Sequence, residues 1–396
     1  MRRMPITNRR LPAVAAVVVF AVHGAIILGW GIRVPPDSVM FSRWADLLIA
    51  NHFDFAAVVR SQPGINVPAG LYMPFVMLVV LTKLIAGARW ASLLVASNLV
   101  LDAMTAAILI RLVILATRSS AAAMLALAAW LVCFELATWV RMPLTDVPFL
   151  FTSFAAFAVL ATPSLTGGRH TKRSLASAAL LTLASLLLRP VGFLWLILMT
   201  VVYLVTSGRV RFRRAAGVAL VVAAVVLGVH TFVVRHPESW PIDTLTKGVR
   251  WDARSYQRGE VIEARPEMAH RRPTTIADYA AITADRFVHF FAFSTASFSR
   301  THNIAGAAFY GTLYLLGIIA VVAGARSDRD AAVIVRLSLA IVLAVAFWHS
   351  LVIIDFDWRY RLPVLPHLIF IAAYAVPMMR PGITAAHQAT TNPPTP

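Results

Sequence analysis

Asp37 stands two prolines beyond the end of a long apolar run, at the head of "PPDSVMFSRWADLL" (35–48). Acidic residues are scarce in this chain, 18 in 396. A carboxylate in such a place reads chemically as a general base or a metal ligand at a lipid–water boundary. The structural alternative is a helix cap. Pro35 and Pro36 fix an extended entry, and Asp37 or Ser38 can accept the first free backbone N–H groups. A second acid, Asp146, lies in "WVRMPLTDVPFLF" (139–151), close to Arg141. It reads either as a loop acid in a weak exposed pair with Arg141, or as a second carboxylate facing the same cavity as Asp37.

Arg359 and Arg361, in "DFDWRYRLPVLP" (355–366), stand just before an apolar run. A helix N-terminus and planar, permanently charged guanidinium groups suit an anion such as phosphate; the alternative is a belt of interfacial anchors. Arg189, with Pro190, interrupts "LLLRPVGFLW" (187–196). An arginine there is costly unless it meets a headgroup or an anion. Asp102 and Glu135 lie inside apolar runs and are functional candidates by position alone. His23, His349 and His367 have no metal-ligand spacing, and no Walker loop, GxSxG or HExxH motif occurs.

The elements that must position these residues follow from composition. The chain is 59% hydrophobic and 14% charged, and apolar runs recur from end to end. A soluble core cannot use that much apolar surface, so the chain reads as a polytopic, all-α membrane protein. The net charge of +18 does not point to nucleic acid, because the basic residues gather on short loops, where they act as topology signals. Cys133 is alone, which excludes an intrachain disulfide and argues against a thiolate cluster. The first apolar run, after "MRRMPITNRR", reads as a retained anchor rather than a cleaved signal.

Eleven apolar runs are legible: about 11–32, 69–86, 90–112, 120–140, 147–161, 174–188, 190–206, 215–234, 303–323, 332–354 and 361–379. If all crossed the membrane, the basic clusters "RHTKR" and "GRVRFRR" would lie outside, against the positive-inside rule. If 69–86, which carries Pro74 and Lys83, only dips into the membrane, every basic cluster becomes cytoplasmic. The expectation is therefore about ten spans in a single domain over 1–380, with outer loops near 33–89 and 235–302. Both termini are expected inside, and 381–396 is expected to be a disordered tail. Fourteen of the 18 acids then fall outside. In the stretch after Asp37, Met40, Phe41, Trp44, Leu47 and Leu48 share one helical face, and Ser42, Arg43 and Asp46 share the other. That pattern suits a helix lying in the interface.

The ordered series "PPDSVMFSRWADLLIANHFDF", "AGLYMPFVMLVV", "RMPLTDVPFLF", "LLLRPVGFLWLIL" and "RYRLPVLPHLIFIAAYA" resembles the glycosyltransferase-C superfamily, closest to its bacterial branch related to protein O-mannosyltransferases and aminoarabinose transferases. The resemblance implies an inverting glycosyltransferase of a cell inner membrane. It would move a sugar from a polyprenyl-phosphate donor to a cell-envelope acceptor, which could be lipid, glycan or protein. It implies Asp37 as the acid that activates the acceptor and Asp146 as the acid of the second outer loop. The arginines of "RYRLP", Arg359 and Arg361, match a region near the donor phosphate, so that the phosphate would lie near Arg359, Arg361 or Arg189, and Arg141, Tyr72 and Glu135 are candidate cavity residues. A divalent cation is the only cofactor implied. Some family members hold a metal with a glutamate ahead of an aromatic-Pro-Pro segment. Here the corresponding residues are "SQPGINVPAG" and "YMP", so no metal ligand is assigned. Two other readings use the same surface: a transporter or flippase of a lipid-linked sugar, and a polymerase or ligase of surface polysaccharide. Transporters carry repeats and midplane sites, whereas the polar residues here crowd one face.

Overall fold

A computed structural model describes residues 6–55, 69–189, 191–212, 214, 217, 276–294, 299–324, 330–352 and 358–379. Among them every regular element is helical and no strand occurs. In chain order they are α1 (Ile6–Trp30), α2 (Pro36–Ala50), α3 (Ala69–Ala86), α4 (Trp90–Thr117), α5 (Ser120–Val132), α6 (Phe134–Val140) and α7 (Asp146–Thr166). Then come α8 (Lys172–Leu188), α9 (Gly192–Thr206), α10 (Ile276–Phe290), α11 (Arg300–Gly324), α12 (Asp330–Val352) and α13 (Leu365–Tyr374). Short 3-10 turns cover Gly87–Arg89, Trp358–Val364 and Val376–Met379.

Six of these stretches are long and apolar enough to cross a membrane, and seven if the bent pair α5–α6 is one span. The chain is a multi-pass helical membrane protein. Lipid is the solvent that makes sense of α1 and α11, where only 17% and 22% of the apolar window is buried. Phe20 and Leu28 on α1, and Leu315, Ile318 and Val322 on α11, are exposed, which water would penalise and acyl chains do not. At the other extreme, α13 is buried along its whole length and packs against α4, α5, α11 and α12. It is the central strut of the bundle.

About ten spans were expected, and the difference has three sources. α8 has 17 residues and α9 has 15, which gives about 26 and 22 Å against a hydrocarbon core of ~30 Å. The run 215–234 lies outside the described residues, as do most of the outer loop 235–302 and the tail 381–396. The run 120–140 is broken into α5 and α6 and counts as a span only if the bent pair is taken as one.

α2 and α3 form a small second core of their own. Phe41, Trp44, Ala45 and Leu48 of α2 close on Phe75, Val76, Val79 and Val80 of α3, with Leu94, Met142 and Leu144 completing the cluster. The apolar face legible in the sequence of α2 is therefore buried against protein, where an interface-lying helix would turn it to lipid. Lys83 fastens the polar side, donating to the Asp46 carboxylate at 2.6 Å and the Ser42 carbonyl at 3.0 Å.

Candidate functional site

Two polar centres are built at the edge of the main core, and both combine segments far apart in sequence. The first is Asp146 with Arg189. Asp146 occupies the first turn of α7, where the helix dipole favours a negative charge. The loop before it is held from three sides. The Ser38 hydroxyl donates to the Pro143 carbonyl at 2.9 Å, and the Asn98 amide donates to the Met142 carbonyl at 2.8 Å. The Arg33 backbone N–H donates to the Arg141 carbonyl at 3.1 Å.

Arg189 approaches from the other side. It follows the last residue of α8 in extended conformation, φ −148° and ψ 143°, as the residue before a proline prefers. The chain reverses at once into α9. A Cβ on Gly192 would collide with the backbone of Ser185 and Leu186, so only glycine permits a turn this tight. One turn below, the Ser185 hydroxyl donates to Thr152 Oγ1 at 2.9 Å and ties α8 to α7. The result is an ion pair in which Arg189 donates to Asp146 Oδ1, with both residues buried. The guanidinium lies 6.0 Å from the Phe149 ring centroid and 5.8 Å from that of Tyr360.

The second centre is Glu135, Arg361 and Tyr310. The α5–α6 pair breaks at Cys133 with a bend of 59°, and Glu135 lies in the first turn beyond the break. Its Oε1 accepts from Arg361 Nη2 at 2.7 Å, and its Oε2 accepts from the Tyr310 hydroxyl at 2.5 Å. Arg361 also donates through Nη1 to the Ala292 carbonyl at 2.5 Å and the Phe290 carbonyl at 3.4 Å. Its guanidinium stacks 3.8 Å from the Tyr310 ring centroid. All three residues are buried, Arg361 to 1% exposure and Tyr310 to 0%. The two centres meet at the turn Trp358–Val364: Tyr360 stands by Arg189, and its neighbour Arg361 holds Glu135.

Several expectations change in detail. The acid expected beside Arg141 pairs instead with Arg189, and Arg141 donates to the Trp30 carbonyl at 3.2 Å. The pairing follows from burial: the buried Asp146 carboxylate needs a cation that reaches it through protein. Neither Asp37 nor Ser38 is the N-cap of α2. The helix starts at Pro36, Pro35 occupies the cap position, and no side chain caps it. Ser38 is committed to Pro143 instead. Asp37 is half-buried in the first turn of α2, which the Ser38 bond fastens to the loop leading to Asp146. Tyr72 packs on Phe41 at 5.4 Å in the second core. Arg359 has its backbone in the turn, but its side chain lies outside the described residues. Among the described residues no group of three or more His, Cys, Asp or Glu could hold a metal ion.

Sequence reasoning did not reach Tyr310, Tyr360 and His349 as site residues. Single tyrosines and histidines in apolar runs carry no spacing signal. Asp102 was flagged by its position, but not its partners. His23 Nδ1 lies 2.6 Å from Asp102 Oδ2, and Trp130 Nε1 donates to Oδ1 at 3.0 Å, joining α1, α4 and α5. Comparison with family models, with curated proteins and with solved structures gives no match to this chain.

Proposed function

We propose that this protein transfers a sugar from a polyprenyl-phosphate donor to a cell-envelope acceptor at the outer face of the membrane. The observation that carries the reading is the buried Arg189–Asp146 pair, fastened by Ser38 to the helix turn that bears Asp37. It gathers a cation suited to phosphate and a carboxylate suited to a hydroxyl at one edge of a membrane bundle. A groove of about 300 Å³ between α7, α8 and α9 supports the same reading. Its apolar lining runs from Leu175 and Tyr203 up to Leu186 and Leu196, next to the turn that carries Arg189. An isoprenoid chain in that groove would bring its phosphate to the arginine.

The step is a single displacement. An acceptor hydroxyl attacks the anomeric carbon from the face opposite the phosphate and gives its proton to Asp37. The bond from the anomeric carbon to the phosphate oxygen breaks, and the phosphate keeps the electron pair. Arg189 stabilises the charge that develops there. Asp146 holds the guanidinium in place, and Arg361 sets the turn that brings Tyr360 against it. In the ten-span arrangement expected from the basic clusters, both termini are cytoplasmic and the membrane is an inner membrane.

The test is transfer of radiolabelled sugar from a polyprenyl-phosphate pool to envelope fractions by the purified protein. Asp37→Asn removes the proton acceptor but keeps the shape, and transfer is expected to fall about 10²–10⁴-fold. Transfer by Asp37→Asn at the wild-type rate removes Asp37 from the chemistry. No transfer by the wild-type protein to any fraction removes the transferase reading.

A further inference from the structure

His349 lies near the end of α12, beside the first polar centre, and nothing above gives it a task. It is only 6% exposed. Its ring stacks on Tyr360 at 4.8 Å and 29°, and on Phe290 at 6.1 Å and 15°. Tyr360 is the same ring that the Arg189 guanidinium approaches at 5.8 Å. The imidazole and the guanidinium are thus gathered around one tyrosine. His349 Nδ1 is buried and has no hydrogen-bond partner among the described residues.

A buried ring nitrogen left without a partner costs free energy that apolar packing does not return. Two aromatic neighbours hold the plane of the ring. An imidazole with its proton on Nδ1 is a neutral donor. Beside a guanidinium, a neutral donor adds a directed hydrogen bond to an anion without adding a second cation to a low-dielectric site.

We propose, building on the transferase reading, that His349 is a binding residue for the donor's phosphate. Its Nδ1–H donates to a non-bridging phosphate oxygen while Arg189 supplies the charge. Phosphate arrives either on an isoprenoid chain, on an ordinary bilayer lipid or free in solution, and the chemistry at His349 is the same for all three.

Full-length protein in phosphatidylcholine nanodiscs is titrated calorimetrically with farnesyl phosphate, farnesol, inorganic phosphate and short-chain phosphatidic acid. Three variants are compared. His349→Phe keeps the stacked ring and removes both nitrogens. His349→Asn puts an amide nitrogen near the Nδ1 position, and His349→Gln puts one near the Nε2 position. The wild type is expected to bind farnesyl phosphate more tightly than the other three probes. His349→Phe is expected to weaken farnesyl phosphate roughly tenfold to a hundredfold, the usual effect of losing a hydrogen bond to a charged group, and to leave farnesol unchanged. His349→Asn is expected to recover most of the loss and His349→Gln little of it. If His349→Phe fails to fold, as read by size exclusion, the Asn–Gln comparison decides alone.

Wild-type affinity for farnesyl phosphate in His349→Phe, or equal binding by Asn and Gln, overturns the role of His349 and leaves the transferase reading standing. Equal wild-type affinity for farnesyl phosphate and farnesol overturns both. Tighter binding of phosphatidic acid or inorganic phosphate, with the same dependence on His349, supports the phosphate site but assigns it to that source and overturns the isoprenoid donor.

Discussion

Arg361→Ala separates two views of the second polar centre. The arginine is 1% exposed, and its partner Glu135 is 7% exposed. Removing it strips Glu135 Oε1 of its 2.7 Å donor and leaves the Ala292 carbonyl without its 2.5 Å donor. It also opens space where the guanidinium stood 3.8 Å from the Tyr310 ring. An ordinary interhelical hydrogen bond in a membrane protein contributes only ~0.6 kcal/mol, whereas breaking a buried ion pair costs about 3–5 kcal/mol because one charge is stranded. Arg361→Ala is expected at the upper figure. Arg361→Lys is expected in between, since one ammonium cannot reach Glu135 and Ala292 together or lie flat on Tyr310. Glu135→Gln in the Arg361→Ala background is expected to recover part of the loss, because it removes the stranded charge. Reversible unfolding in lipid bicelles measures the wild type, these three variants and the Glu135→Gln single variant, and the double-mutant cycle gives the coupling between residues 135 and 361. A loss below ~1 kcal/mol for Arg361→Ala, with no coupling to Glu135, would show that the pair is not a closed buried clasp.

Two further outcomes follow from local geometry. Gly192→Ala is expected to lower the thermal midpoint and weaken phosphate binding together, since its Cβ meets the backbone of Ser185 and Leu186 and must displace Arg189; a variant that changes neither would refute the tight-turn account. Burial pushes the His170 imidazole below its ordinary value of 6.5, against the opposing effect of a hydrogen bond with the Thr206 backbone. Its folded-state pKa is thus below its unfolded one, so its contribution to stability is complete above about pH 6.5 and is lost as pH falls through the folded value. Comparing the wild type with His170→Gln between pH 7.5 and 5 should show the wild type losing more stability on acidification, and parallel curves would contradict this.

The contrast between what the residues announced and what the fold delivered has a physical cause. Long apolar stretches dictate helices wherever the backbone must satisfy itself, so α1, α7, α11 and α12 were legible within a few residues. The break at Arg189–Pro190 was legible for the same reason. The face of α2 was legible through the spacing of Phe41, Trp44 and Leu48, but period alone does not tell lipid from a neighbouring helix, and α3 turned out to cover it. Neither Asp37 nor Ser38 caps α2 because the helix begins at Pro36, which puts both inside its first turn. Pairings such as Asp146 with Arg189 and Glu135 with Arg361 depend on which helix ends the bundle brings together, and no local pattern encodes them.

The distance along the chain between Glu135 and its partner carries a consequence for biogenesis. Arg361 is made 226 residues after Glu135, so at ordinary elongation rates of about 5–20 residues per second the carboxylate waits about 10–45 s for its cation. Asp146 waits only 43 residues for Arg189. The first centre therefore closes while the ribosome is still working, and the second stays open until the last helix has entered the bilayer. During that interval Glu135 must remain near headgroups or be shielded by an insertion factor. Quality control thus has a natural checkpoint at the C-terminal end: a chain that stops before Arg361 presents a bare acid inside the membrane, a mark by which an incomplete copy can be told from a finished one.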